Sequence, residues 1–475
     1  MKHYLLFDLG TGNTRVAIVT SEGTIVDIRT ITNYYLKDDA YEDAQYFLPA
    51  EWEEKMLQAA KDLLHAHPDI VIDAVSSAAA RQTVILVDEE GKAFYALPNI
   101  DNRGREYMEE IGHAKEIYEI SGKWATEDFC AAKLYGLSKK RPEIYGKIHR
   151  ILSESEWIAH LLTGSCVCEP TQACEMQLYD IRAKEWSDEL LSLYHVDRSV
   201  LPALVPAGTA FPILAEWKEA LHLSPEAVFI VGGADTQIGA LQTGAGSGDI
   251  VIVSGTTTPV LTYSEQIFHD EKERVWVDMG LGGENYVTEM NPGVTGLNYQ
   301  RIKDGLLSHI SYSDLEKAYT EKTSFTSVAS FSSLLFYEKR SLRRGGFLIP
   351  SPLRSDTDPV DMGYAVLADI ACSVWEQLYR LRDITGTELS VLRGCGGGFR
   401  SGTLCQMIAD LSGCTLSLTD GFEQATVQGL VQIINGALQE KSESAGQKIY
   451  TFSPRTDALI HRYHPVWLEY RNTIN

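Results

Sequence analysis

Asp235 closes the run Gly232-Gly233-Ala234-Asp235, which follows an apolar stretch at 228–231 and precedes a helix-like stretch at 236–242. That pattern puts a carboxylate at the carboxyl end of a strand, where the reactive edges of α/β sheets lie. There it can accept the proton of an attacking hydroxyl, a group too weakly acidic to ionise unaided. The same position also suits an ordinary helix N-cap. Two turns supply complementary chemistry. Gly10, Thr11, Gly12, Asn13 and Thr14 separate apolar runs at 3–8 and 15–20, and Gly255, Thr256, Thr257 and Thr258 separate runs at 250–254 and 259–264. Turns of this composition present backbone N–H groups as an anion nest, and threonine hydroxyls add donors. Asp8, at the end of the first run, can hold Mg²⁺ through water, since magnesium keeps several waters and takes one or two carboxylates. Arg15 is placed to reach a phosphate or to pair with a carboxylate. Gly396, Gly397 and Gly398 precede a helix-like stretch at 403–411 and let a flat ring approach the backbone closely, with Ser401 just beyond them. Together these residues form a candidate site for a triphosphate, a metal ion and a hydroxyl acceptor.

The elements that must position them are legible as patterns. Residues 1–35 read as a three-stranded meander, with turns at 10–14 and 21–23. Residues 51–65 have helical spacing, with Trp52, Met56, Ala59, Leu63 and Leu64 on one side, and 70–76 reads as a buried strand. Helical stretches are expected at 364–384, 403–411 and 425–437, and a strand at 390–393. The strand–Gly-Thr turn–strand pattern at the N-terminus recurs at 250–264, as expected of a duplicated domain with one hairpin in each copy. The class is α/β.

Composition excludes several functions. Lys and Arg total 42 against 65 Asp and Glu, a formal charge of −23, which argues against nonspecific nucleic-acid binding. The eight cysteines form no CxxC pair and no zinc-spaced cluster, so they are expected to be reduced, small apolar residues. No window approaches the roughly 20 apolar residues of a membrane span. The N-terminus lacks the pattern of a secretory leader, so the cytoplasm is the expected compartment. There is no GxxxxGK[ST] loop, no GxGxxG after the first strand and no protein-kinase signature.

These motifs, in this order, resemble the FGGY carbohydrate kinases. The first phosphate motif is similar to Asp8-Leu9-Gly10-Thr11-Gly12-Asn13-Thr14-Arg15, the catalytic motif to Gly232-Gly233-Ala234-Asp235, and the second phosphate motif to Gly255-Thr256. The adenosine motif resembles Gly396-Gly397-Gly398 followed by Gln406, Ala409 and Asp410. Lesser likenesses lie at Lys133-Leu134, at Trp157 with Leu162-Thr163-Gly164, and at Glu169-Pro170-Thr171-Gln172-Ala173. Residues 99–103 resemble the family's substrate segment, with Asn99 in place of an aromatic, and Arg81-Gln82 stands where some members carry Arg-Glu. Arg81 with 99–101 looks most like the kinases of the autoinducer-2 precursor, a linear hydroxylated diketone; the xylulokinases are the neighbouring branch.

The resemblance implies a two-domain actin/Hsp70-like ATPase (ribonuclease H-like) fold, divided here as 1–243 and 244–475, with a cleft between the domains. It implies ATP and Mg²⁺ as cofactors and a small sugar, ketose or polyol as acceptor. Asp235 would be the base, Asp8 and Asp235 the carboxylates nearest the metal, and Arg81, Gln82, Asp101, Arg103 and Asp235 the acceptor contacts. No membrane or nucleic-acid partner is expected, and a homodimer follows only from the prevalence of two-fold assemblies. A non-catalytic sugar- or nucleotide-sensing protein on the same fold is the alternative, against which the presence of both Asp8 and Asp235 speaks. An actin- or chaperone-like ATPase would leave Arg81 and 101–103 without a role.

Overall fold

A computed structural model describes residues 1–355, 357–440 and 448–474. They fall into two compact units. The first holds Met1–Gly239, Val277–Tyr286 and the described part of Thr426–Ala445; the second holds Ala240–Trp276, Val287–Ala425 and the remaining C-terminal residues.

The first unit is built on a six-stranded sheet in the order Ala210–Pro212, Val228–Ala234, Ala74–Ala79, His3–Leu9, Asn13–Thr20, Ile25–Thr32. The middle three strands run parallel and the outer ones antiparallel to their neighbours. Every residue of Ala74–Ala79 is buried, as befits a strand flanked on both sides. Leu9, Ala79 and Ala234 fall in one register across the three parallel strands. The residues that follow them, Gly10, Ala80-Arg81 and Asp235, therefore leave the sheet at one edge. Helix Pro49–Ala66 covers one face through Trp52, Met56, Ala59, Ala60, Leu63 and Leu64, and the Phe47 and Trp52 rings stack with centroids 4.0 Å apart. The opposite core joins Tyr4, Leu6, Ala17 and Val19 to Ile238, Val427, Leu430 and Ile434.

In the second unit, strands Val260–Ser264, Ile250–Val253, Val391–Cys395, Thr415–Thr419 and Ile449–Phe452 are successive neighbours. Their senses are antiparallel, parallel, parallel, antiparallel. That repeats the first unit's hairpin, two parallel additions and antiparallel edge, so each unit carries one copy of the hairpin that the sequence repeat implied. Helix Pro359–Thr385 begins at Asp358, whose side chain accepts the Asp361 N–H, and ends at Gly386, whose φ of 72° suits glycine.

The strand expected at 70–76 forms instead at Ala74–Ala79. Val71 is 55% exposed, and Asp73 meets the sheet margin at His3, donating its N–H to the His3 carbonyl and accepting the His3 N–H on its carboxylate at 2.9 Å. The more apolar run lost to the Ala/Ser run because neighbours press close there. A Cβ on Gly232 would lie 2.0 Å from the Ser77 carbonyl oxygen.

No helix among the described residues is long and apolar enough to cross a membrane. All eight cysteines are free thiols.

Candidate active site

The turn after the first strand is braced from behind. Gly10 N–H donates to the Asn13 carbonyl, Asn33 donates from its side chain to Gly10 O and from its backbone to Gly12 O, and Tyr35 OH donates to Thr11 O at 2.6 Å. In a trans peptide plane the N–H points opposite to the C=O. Three carbonyls tied back thus turn the N–H groups of Thr11, Gly12 and Asn13 to the other face. Gly12 and Asn13 are exposed, and a Cβ on Gly12 would meet nothing within 4 Å. Thr14 is buried and its hydroxyl donates to Asn33, so it braces the turn. Asn99 Nδ2 donates to Thr11 Oγ1 at 2.6 Å, joining the 99–103 segment to the same turn. Asp8 is buried, with Arg15 Nη1 3.2 Å from its carboxylate. Burial pushes its carboxyl above the usual range, and Arg15 partly offsets that.

Asp235 opens helix Asp235–Leu241 and is only part-buried. Its carboxyl is pushed up to about 6, chiefly by burial; Arg81 pulls it down and Asp8 pushes it up. Asp8, Arg81 and Asp235 thus form one electrostatic group. Two carboxylates in mutual electrostatic range, beside a turn with outward backbone N–H groups, have donor chemistry that would suit a Mg²⁺ with its waters. Among the described residues no group of three or more His, Cys, Asp and Glu side chains is placed to hold a metal ion.

Beside this group lies a buried charge cluster that sequence patterns did not reveal. Lys123 Nζ lies 2.5 Å from both Glu175 and Asp278, and Arg81 lies 3.6 Å and 3.9 Å from the same two carboxylates. Burial alone would lower the Lys123 pKa, but Asp278 and Glu175 outweigh it and hold the ammonium above its usual range. Glu175 is lowered despite burial, by Lys123 and Arg81. Gln82 takes a left-handed φ of 69°. Its carbonyl and that of Pro98 accept from the buried Lys133 ammonium at 2.7 Å and 2.9 Å, which ties the two expected acceptor segments together. Asp101 and Arg103 are fully buried. Arg103 donates to Asp101, Asp38 and the Gln45 carbonyl, and Asp101 also accepts the Gln45 N–H, so both side chains are spent on shaping the segment.

In the second unit, Gly255 N–H closes its turn on the Thr257 carbonyl. The Thr256 carbonyl accepts Thr295 N–H, and Thr258 and Thr295 share a hydrogen bond between hydroxyls. Gly396 and Gly398 are glycine because Ser254 sits against them: a Cβ would lie 2.4 Å from its carbonyl or 2.1 Å from its hydroxyl. Gly397 has open space instead, and is where a flat ligand can approach. Ser401 is the N-cap of helix Gly402–Ser412, its hydroxyl accepting Leu404 N–H. Asp410 is engaged by Arg455 and Gln406.

Three further carboxyls are buried in the first unit. Burial is the main cause that raises Glu154 and Glu156 to about 8 and Glu169 to about 7. Asp235 adds to the effect at Glu154, and Glu169 adds to it at Glu156. Because these pKa values exceed their unfolded values, the folded chain binds more protons between the unfolded and folded pKa, and stability falls as pH rises through that window. The melting temperature should therefore decline from about pH 5 to about pH 8 and then level, and Glu156→Gln should flatten the decline. Calorimetry across pH checks this; a rise over the same range would contradict it.

Comparison with known proteins matches residues 3–242 to the N-terminal domain, and 250–434 to the C-terminal domain, of the FGGY family of carbohydrate kinases. A Bacillus subtilis (strain 168) protein named "Putative sugar kinase YoaC" is 38% identical over 445 residues, covering 93% of this chain and 91% of its own. The autoinducer-2 kinase of Salmonella choleraesuis is 23% identical over 87% of this chain and 82% of its own. The crystal structure of ligand-bound xylulose kinase from Lactobacillus acidophilus superposes with a TM-score of 0.84 at 17% identity, covering 100% of this chain and 98% of that one.

Proposed function

The chain belongs to the FGGY family of carbohydrate kinases and is a phosphotransferase, and from that premise we propose that it transfers the γ-phosphoryl group of ATP to a terminal hydroxyl of a small xylulose-like or autoinducer-2-precursor-like acceptor. The observation that carries this reading is the placement of Asp8, Arg81 and Asp235 at the carboxyl ends of three adjacent parallel strands, Asp8 next to last in its strand and the other two just beyond theirs, with the Asp235 carboxyl pushed up to about 6.

Asp235 orients the acceptor hydroxyl and accepts its proton as the oxygen attacks phosphorus in line. A base with a pKa near the working pH is ionised when needed and still takes a proton readily. The 10–14 and 255–258 turns hold the phosphates, and Gly397, between the packed Gly396 and Gly398, admits the adenine. Asp8 and Asp235 would hold Mg²⁺, which offsets charge on the phosphates when bound. Arg81 and Gln82 meet the acceptor's hydroxyl and carbonyl groups, while Asp101 and Arg103 form the wall behind them. On this reading residues 1–243 handle the acceptor and 244–475 most of the nucleotide, and the reaction belongs in the cytoplasm.

The test is ADP release from ATP–Mg²⁺ across ketopentoses, pentitols, glycerol, gluconate and the autoinducer-2 precursor. We expect strong stimulation by a neutral ketose or the diketone, and a kcat/KM that rises with pH through an apparent pKa near 6. ATP binding with no acceptor-dependent ADP release would overturn the reading in favour of a sensor.

A further inference from the structure

We propose that Thr171, anchored by Glu169, is a positioning residue for Asp235: its hydroxyl holds the peptide that precedes the base. The inference rests on the reading of Asp235 as the base. Ala234 N–H donates to Thr171 Oγ1 at 3.0 Å. The Thr171 hydroxyl in turn donates to the Glu169 carboxylate, which also accepts Thr171 N–H at 2.7 Å. Ala234, Thr171 and Glu169 are all fully buried. A hydroxyl committed as donor to a carboxylate has its lone pairs left for an acceptor role, so the chain of bonds has one direction, from backbone amide to threonine to glutamate.

The local backbone is shaped around this contact. Strand Val228–Ala234 loses register with Ala74–Ala79 between Ile230 and Gly233. Gly233 has a φ of 150°, and a Cβ there would lie 2.8 Å from Glu169 Oε2 and 3.0 Å from Thr171 Oγ1. Only glycine lets the Asp235 strand come this near the pair. Glu169 is itself fixed as the N-cap of helix Pro170–Met176. The next residues of that helix act on the base's charge partner. Gln172 donates to the Ala79 carbonyl at 3.2 Å, at the strand end leading to Arg81, and Glu175 lies 3.6 Å from Arg81 itself. One short helix therefore sets both the backbone of Asp235 and the place of the cation that tunes it.

The experiment compares Thr171→Val, which keeps the shape and removes the acceptor, with Thr171→Ser, which keeps the hydroxyl, and with Asp235→Asn. Steady-state kinetics against pH and melting temperatures are read for each. Misplacing a catalytic group slightly costs about 10²-fold. We expect Thr171→Val to lower kcat about 30- to 100-fold with KM for ATP within about 2-fold, and to displace the acid limb of kcat/KM. Thr171→Ser should recover kcat to within about 5-fold of the native protein. If Thr171→Val keeps near-native kcat, or if the two Thr171 variants lose activity equally with the acid limb unmoved, the positioning role is wrong while an inactive Asp235→Asn leaves the base reading standing. If Asp235→Asn turns over normally, the base reading fails and this inference fails with it.

Discussion

Asp235→Asn should lower kcat by roughly 10³- to 10⁴-fold, the upper part of what a general base contributes, while ATP affinity stays within about 3-fold. A 10³-fold loss corresponds to about 4 kcal/mol of transition-state stabilisation. The amide keeps the size of the carboxyl and can still accept from Thr236, whose hydroxyl donates to Asp235 Oδ1 at 3.1 Å. It removes a charge that burial and Asp8 both oppose. The variant should therefore be inactive without being less stable: a carboxyl whose folded pKa is raised to about 6 costs stability above that pH, and the amide carries no such cost. Kinetics, nucleotide titration and a melting curve on one preparation check all three statements. Near-native turnover would remove Asp235 from the mechanism.

Lys123→Met should destabilise the first unit by about 3–5 kcal/mol, the range for removing one partner of a buried ion pair. Lys123 lies between Glu175 and Asp278 with no exposure. Without it, two buried carboxylates face each other and lose the ammonium between them, and Arg81, at 3.6 Å and 3.9 Å, would have to offset more of their charge. The melting temperature should fall on the order of 10 °C. Adding Asp278→Asn should restore part of the loss by removing one of the opposed charges, a coupling that a double-mutant cycle measures. Activity of the folded Lys123→Met fraction should also fall, because Arg81 would be drawn towards the orphaned carboxylates and away from Asp235. An unchanged melting temperature would show that the cluster does not hold the unit together.

The local structure of the candidate site, its turns and the carboxylate after a strand, was legible in the order of residues because those parts are local. A Gly-rich turn needs only neighbouring backbone to make its nest, and the Asp after Gly232-Gly233 is placed by the strand it ends. The duplicated hairpin was visible for the same reason. What could not be read was which side chains would meet across long separations. Lys123, Glu175 and Asp278 come from three separate segments, and nothing in the spacing of a single lysine or glutamate marks it as a buried partner. The Arg103 side chain has the same chemistry facing a ligand or facing Asp101; only packing shows that it donates to Asp101, Asp38 and Gln45.

The sequence by itself determined the α/β class, the two hairpins, the nest-forming turns and the carboxylate at the strand's end, because periodicity, turn chemistry and capping act over a few residues. Tertiary structure alone decided the strand at Ala74–Ala79, the buried charges around Arg81 and the Thr171 contact behind Asp235. Those depend on which backbones approach within a hydrogen-bond length, and close approach is settled by the packing of the whole unit rather than by any stretch of it.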